Sequence, residues 1–302
     1  CSAEQAAAST EESARVLRVK GRCFTDRGNH EVAARFYHQA LKLTDDPLLE
    51  AALLHNLALG WVVLGLYPVA DSYLLGARRT LEQLDHGKCS GDLRAAYRKT
   101  MGFNLVVRGR MLLEQSFFAG EPLSEKAVAL LGQAVNRFIE AEMPAFTYWA
   151  QVYHGLATVL AATGADRRQG RKLGRQMIER AAERARAEED WETEGWAHFA
   201  RIISLLHCRE QAEALVASGQ AMKFISKHEH SELLIYIAMA RALAIKAFAA
   251  THQGMDFADE KHDLHNLIRV DFAGTYDSGA PAVQMLLACV DEDNGGNHED
   301  YN

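Results

Sequence analysis

Proline is scarce in this chain, at five residues in 302. Each proline inside a helix removes a hydrogen bond and crowds the preceding turn, so its rarity leaves long runs in which helix can propagate. Cysteine is equally scarce. Cys1, Cys23, Cys89, Cys208 and Cys289 form no C-x-x-C pair, which excludes a zinc ribbon or a thioredoxin-like motif. Scattered and odd in number, they are read as reduced thiols of a cytoplasmic protein. Alternating Val/Ile/Thr runs bounded by turn residues are missing, so no strand is predicted. Positive charge is in deficit, with a net charge of −7, which argues against a nucleic-acid binder. Residues 51–70 and 143–165 lack Asp, Glu, Lys and Arg altogether and are long enough to cross a bilayer. Both contain polar residues and both fit the pattern described next, so they are read as buried helix and a membrane span is rejected.

What is present is a repeat. The stretch GNHEVAARFYHQALKL, residues 28–43, places Ala33 and Ala40 seven apart with Tyr37 between them and Gly28 in front. Gly21, Phe24, Gly28, Ala33, Tyr37 and Ala40 are matched by Ala58, Trp61, Gly65, Ala70, Leu74 and Ala77, each 37 residues further on. Leu17 and Leu54 precede the two sets at the same spacing. Residues seven apart lie on one helix face, so the paired alanines form a notch that lets a neighbouring helix approach closely. Glycine relaxes the turn between the helices.

This pattern resembles the tetratricopeptide repeat family, whose helix-turn-helix unit wants a small residue, a large aromatic, a turn glycine and then small-large-small on the second helix. Lys20 departs from the apolar residue usual at its position. Looser copies follow: Ala127, Leu131 and Ala134 after a long helix over 92–115, and Gly174, Ile178 and Ala181 in a unit pairing 145–163 with 167–187. Ala214, Ser218 and Ala221 mark a unit pairing 193–206 with 210–226, and a sixth pairs 231–251 with 256–270. The longer units are similar to the tetratricopeptide sensor regions of bacterial regulators. The resemblance implies an all-α fold, a right-handed α-solenoid of about six helix-turn-helix units, with a C-terminal capping helix near 280–290. Residues 1–12 are expected as a flexible tether, 13–290 as the repeat domain and 291–302 as an acidic disordered tail.

The same resemblance implies a non-enzymatic scaffold that holds a protein or peptide partner in its concave groove, on the first helix of successive units. Arg18 and Arg22 lie four apart on one helix face, and Arg94 and Arg98 repeat that spacing. Asn56 falls where family members that grip peptide chains often carry Asn, and Asn104 is a further candidate in the next such helix. Together they resemble a carboxylate clamp, although the family clamp uses Lys and Asn where this chain has Arg18 and Arg22. Guanidinium forks suit carboxylates, and an amide bonds a peptide backbone in both directions. The competing expectation is that the arginines are solvated surface charges and that Asn56 bonds internally.

Other motifs point nowhere further. The basic stripe Arg167, Arg171 and Arg175 has no interleaved aromatic and is followed by Glu179 and Glu183, so it is read as a solvated helix face. The segment GADRRQGRK lacks the spacing of a phosphate loop. His262 and His265 lack the partners of a metal motif. No catalytic set emerges from spacing, and no cofactor or metal is expected. Uncapped terminal repeats would leave apolar ends and allow homo-oligomers. Cys1 followed by SAEQAAASTEES supports an alternative: a lipidated Cys1 and a polar tether, making the chain a bacterial lipoprotein that faces the periplasm or exterior as an envelope scaffold or a transporter-associated binding component.

Overall fold

In the computed structural model the described residues are 3–84, 91–228, 231–252, 255, 257–271 and 280–291. Among them the chain is all-α, with thirteen α-helices, one short 3-10 turn at Gly164–Asp166 and no strand. The first six helices are α1 (Ala3–Asp26), α2 (His30–Leu41), α3 (Pro47–Val63), α4 (Tyr67–Glu82), α5 (Gly91–Ala119) and α6 (Glu125–Glu140). Then come α7 (Pro144–Ala161), α8 (Arg167–Ala187), α9 (Trp191–His207), α10 (Gln211–Ile225), α11 (Ser231–Ala249), α12 (Ala258–Asp271) and α13 (Pro281–Asp291). α1 starts at Ala3, so helix extends into the stretch expected as a tether. Cys1, Cys89 and residues 292–302 lie outside the described residues.

The few prolines act as start signals. Pro47, Pro68, Pro144 and Pro281 all fall in the first turn of a helix, where no backbone donor is lost. Asn29, Asp46 and Asp190 cap α2, α3 and α9 by accepting from Val32 N, Leu48 N and Thr193 N, which satisfies donors that have no partner within the helix. The two repeat glycines have φ of +76° (Gly28) and +74° (Gly65), a conformation that costs glycine little. In the turn between α9 and α10 the same region of φ is occupied by Arg209, and there the sequence repeat loses its glycine.

Each helix packs on the next in sequence, from α1 on α2 through α10 on α11. The odd-numbered helices α1 to α11 also touch one another in order. The notch alanines at 33, 40, 70, 77, 127, 134, 181, 214 and 221 are all 1% exposed or less. The largest apolar cluster runs from Val106 on α5 to Val290 on α13, and a smaller one joins α1, α2 and α3 around Tyr37, Leu53 and Leu57. At the C-terminus the pairing differs from expectation, because α11 packs more extensively on α13 than on α12. The reason is composition: α13 is PAVQMLLACVD, whereas α12 is ADEKHDLHNLIRVD and offers far less apolar surface. α13 also touches α5, and Pro281 sits against Gly65 in the turn between α3 and α4.

At α7 and α8 two helices meet backbone to backbone. A Cβ added at Gly174 would lie 2.5 Å from Gly155 O and 2.9 Å from Val159 N. Both are backbone atoms, which cannot swing aside as a side chain would. Gly174→Ala should therefore destabilise the protein by about 2 kcal/mol or more, measured as a fall in the urea unfolding midpoint with unchanged slope. An unchanged midpoint would mean that the helices have room to separate.

Candidate functional site

The odd-numbered helices enclose a groove of about 610 Å³. From α1 it receives Arg15, Arg18 and Arg22; from α3, His55 and Asn56; from α5, Lys99 and Phe103. α7 adds Phe146 and Trp149, α9 adds Glu192, and α11 adds Glu232. Arg18 and Arg22 share a face of α1 because they are one turn apart. Lys99 is near enough to both arginines for them to lower its pKa, and its Nζ is 5.2 Å from the centroid of the Phe146 ring. Phe146 in turn packs edge-on against Phe103 at 4.7 Å.

The charges at this wall repel one another. Burial lowers the pKa of Arg18, and Arg22 and Arg15 lower it further. Burial, then Arg18 and Arg22, lower that of Lys99. None of Arg18, Arg22 and Lys99 forms an ion pair with a described residue, although Arg15 lies 3.8 Å from Glu11 and 3.9 Å from Asp46. Asp26 and Asp46 also line the groove, but with Arg15, Arg18, Arg22 and Lys99 in the same lining the positive charges at this wall are in excess, which favours an incoming carboxylate.

Of the residues singled out from the sequence, the structure brings Arg18, Arg22 and Asn56 to the groove. Arg94 and Arg98 are not brought there. Arg98 Nη1 donates to Glu140 O at the end of α6, at 3.0 Å, and its Nε is 3.6 Å from the Glu140 carboxylate. Arg94, one turn earlier, is exposed. Asn104 sits beneath the floor, 2% exposed, where its Nδ2 donates to Leu74 O at 2.9 Å and lies 3.1 Å from His55 Nε2. Sequence reasoning missed Lys99, Phe103, Phe146 and Trp149. On α5 the groove-facing positions are 96, 99, 100, 103 and 107, a helical spacing one residue out of step with 94 and 98. That apolar-and-small stripe was the available signal.

The sequence gives no hint of Arg110. Only 2% exposed, it is buried among side chains of α7, α9 and α11. Its Nε and Nη2 donate to Glu114 Oε1 and Glu232 Oε1, both at 2.5 Å. The rings of Trp196, Tyr236 and Tyr153 surround its guanidinium at 4.9, 5.4 and 5.6 Å. Burial works against its charge, but Glu114, Glu232 and the tyrosines outweigh that and hold Arg110 above its ordinary pKa. Burial raises Glu114 in spite of Arg110. This one side chain ties α5 to α7, α9 and α11.

The basic stripe on α8 serves packing. Arg175 forms two bonds to Glu210, at 2.8 and 3.0 Å, and Arg186 pairs with Glu194 at 2.7 Å. Among the described residues no three His, Cys, Asp or Glu side chains are grouped to hold a metal, and no helix is long and apolar enough to cross a membrane. The described cysteines, Cys23, Cys208 and Cys289, form no disulfide with one another. No protein-family model matches the chain, and no curated protein matches it.

His55 gives a pH test. Burial, with Arg18 adding to it, pushes its pKa down from 6.5 to about 3, and the Asn104 amide donor faces its Nε2. The unfolded chain therefore holds a proton that the folded chain excludes between those values, so stability rises with pH there and is lost as pH falls. His55 alone should contribute a slope approaching about 1.4 kcal/mol per pH unit below pH 6. His55→Gln should flatten the urea-midpoint profile by up to that amount. An unaltered profile would mean that His55 titrates normally.

Proposed function

We propose that the chain is a right-handed tetratricopeptide-like α-solenoid of about six units and acts as a non-enzymatic binding module. It works as the sensor or scaffold region of a bacterial regulator and holds the carboxylate end of a protein or peptide segment in its groove. The observation that carries this reading is the set of Arg18, Arg22 and Lys99, three cations crowded in one groove wall with no ion pair to a described residue. Crowding them is unfavourable unless an anion joins them. Asn56 beside them offers a donor and an acceptor to a peptide bond, and Phe103, Phe146 and Trp149 supply apolar surface for side chains. The solenoid part of the reading is supported by the ordered contacts of the odd-numbered helices and the buried notch alanines.

In this reading the arginines supply two-pronged bonds to the carboxylate and Lys99 a point charge above the Phe146 ring. Charge-assisted bonds of this kind contribute about 1.5–3 kcal/mol each. The protein would be dialysed against a pool of pentapeptides randomised over uncharged residues, and retained species read by mass spectrometry. Free-carboxylate peptides should be retained at least tenfold better than their C-terminal amides. The triple variant Arg18→Gln, Arg22→Gln, Lys99→Met should abolish that preference without unfolding, since it relieves mutual repulsion. Asn56→Ala should weaken retention of both forms. Equal retention of acid and amide would overturn the carboxylate reading, and unchanged retention by Asn56→Ala would remove Asn56 from the site.

A further inference from the structure

Beside the cations the groove changes character. Phe103 of α5 and Phe146 and Trp149 of α7 line it together. Phe146 and Trp149 are three residues apart and so share a face of their helix. Phe103 meets Phe146 with 4.7 Å between ring centroids and Trp149 with 6.2 Å. All three rings are half-buried, whereas Phe138, which backs Phe103 and Phe146 at 5.3 and 5.7 Å, is fully buried. The cluster thus packs on the core with one side and faces the groove with the other. Three adjoining rings held partly in water forgo burial that would favour the fold, and contiguous apolar patches of this kind mark ligand grooves.

Rings and cations are joined at one point. Lys99 Nζ lies 5.2 Å from the centroid of the Phe146 ring, and Lys99 and Phe103 are one turn apart on α5. A carboxylate held at Lys99 is therefore next to the ring cluster. In a peptide the side chain of the last residue branches from the same carbon that bears the terminal carboxylate, so no other side chain is as close to that group. The penultimate side chain points to the opposite side of an extended chain, away from the wall that the last one meets.

We infer that Phe103, Phe146 and Trp149 form the subsite for the last side chain of the bound segment, and that this side chain is aromatic. The subsite rests on the carboxylate reading proposed above and narrows it to a class: chains that end in phenylalanine, tyrosine or tryptophan with the terminal carboxylate free. An aliphatic side chain would also gain from burial there. A ring gains more, because it extends the edge-on contacts that these rings already make with one another, and because the Lys99 ammonium beside it is attracted to a ring face. The two parts of the site divide the selection. The cations choose the end of a chain over its middle, and the rings choose which residue stands at that end.

The experiment uses pools of pentapeptides randomised over uncharged residues except at one fixed position. In one series the last residue is fixed as Phe, Leu or Ala, and in the other the penultimate residue is. Each pool is prepared as free acid and as C-terminal amide, dialysed against the full chain and read by mass spectrometry. Free acids ending in Phe should be retained at least tenfold better than those ending in Ala, with Leu between them. Fixing the penultimate residue should change retention far less. Trp149→Leu and Phe146→Leu, which keep an apolar side chain, should each cut the Phe-over-Ala ratio severalfold and leave the acid-over-amide ratio as it was. The comparison of pools on the unsubstituted chain stands by itself if neither variant folds. Acids retained over amides with no dependence on the last residue would overturn the aromatic subsite and leave the carboxylate site standing. A preference for Phe at the penultimate position instead would overturn the subsite as placed. A Phe-over-Ala ratio unchanged in both folded variants would remove these rings from it. Acids and amides retained alike, or retention of no pool, would overturn the carboxylate reading and the subsite with it.

Discussion

Close approach of helices is the constraint on which the rest of this molecule depends. Two helix axes draw together only where side chains are small enough to let the backbones near each other. Here alanine, glycine and serine recur at those contacts, and every one of the notch alanines is buried. At α7 and α8 the contact is backbone on backbone, with Gly155 and Gly174 facing each other. Large side chains then fill the wedges between pairs. Tyr37, Leu74, Leu131 and Ile178 sit between the small residues of α2, α4, α6 and α8, all 3% exposed or less. Because the notches lie on the even-numbered helices, the odd-numbered ones are pressed into a continuous row. Their remaining faces have only one another to look at across the groove.

That row explains why polar chemistry collects where it does. The outward faces meet water and can carry charge at little cost, as the paired arginines of α8 do. The inward faces are partly desolvated, so each charge there must be satisfied from within the fold or from a ligand. Arg110 takes the first course, with two carboxylates and three aromatic rings around it. Arg18, Arg22 and Lys99 form no ion pair with a described residue, and the proposal of a receiving wall rests on this contrast between two sets of inward cations. His55 belongs with the structural set. Its proton is excluded by burial, and Asn104 holds its ring from below.

Legibility differed between fold and site for a physical reason. Helix positions followed from the periodicity of small and large residues, which is a property of single segments. The pairs 145–163 with 167–187 and 193–206 with 210–226 appear as α7 with α8 and α9 with α10, with ends shifted by one or two residues. The first two units were clearest, because Gly28 and Gly65 both occupy a backbone region that glycine tolerates best. Arg209 adopts a similar backbone angle without that signal. The sixth pair misled, since adjacency in sequence suggested α12 as the partner of α11 while apolar area favoured α13. Within the site, Arg18, Arg22 and Asn56 were found because their helices sit in the well-defined repeats. Arg98 was misplaced because a single-residue rotation on α5, about 100° of turn, separates the groove-facing Lys99 from a residue that bonds to α6 instead.

By itself, then, the sequence determined that this protein is helical, where most of its helices lie and which faces carry the small residues that let them pair. Those properties are local: they depend on residues within a turn or two of each other and on the chemistry of glycine, alanine and proline. Only the tertiary structure decided that Lys99 stands with Arg18 and Arg22, that Glu232 reaches Arg110 across 122 residues of chain, and that Asn104 lies under the floor instead of on it. Each of these depends on contacts between helices far apart in the chain, and no segment read alone contains them.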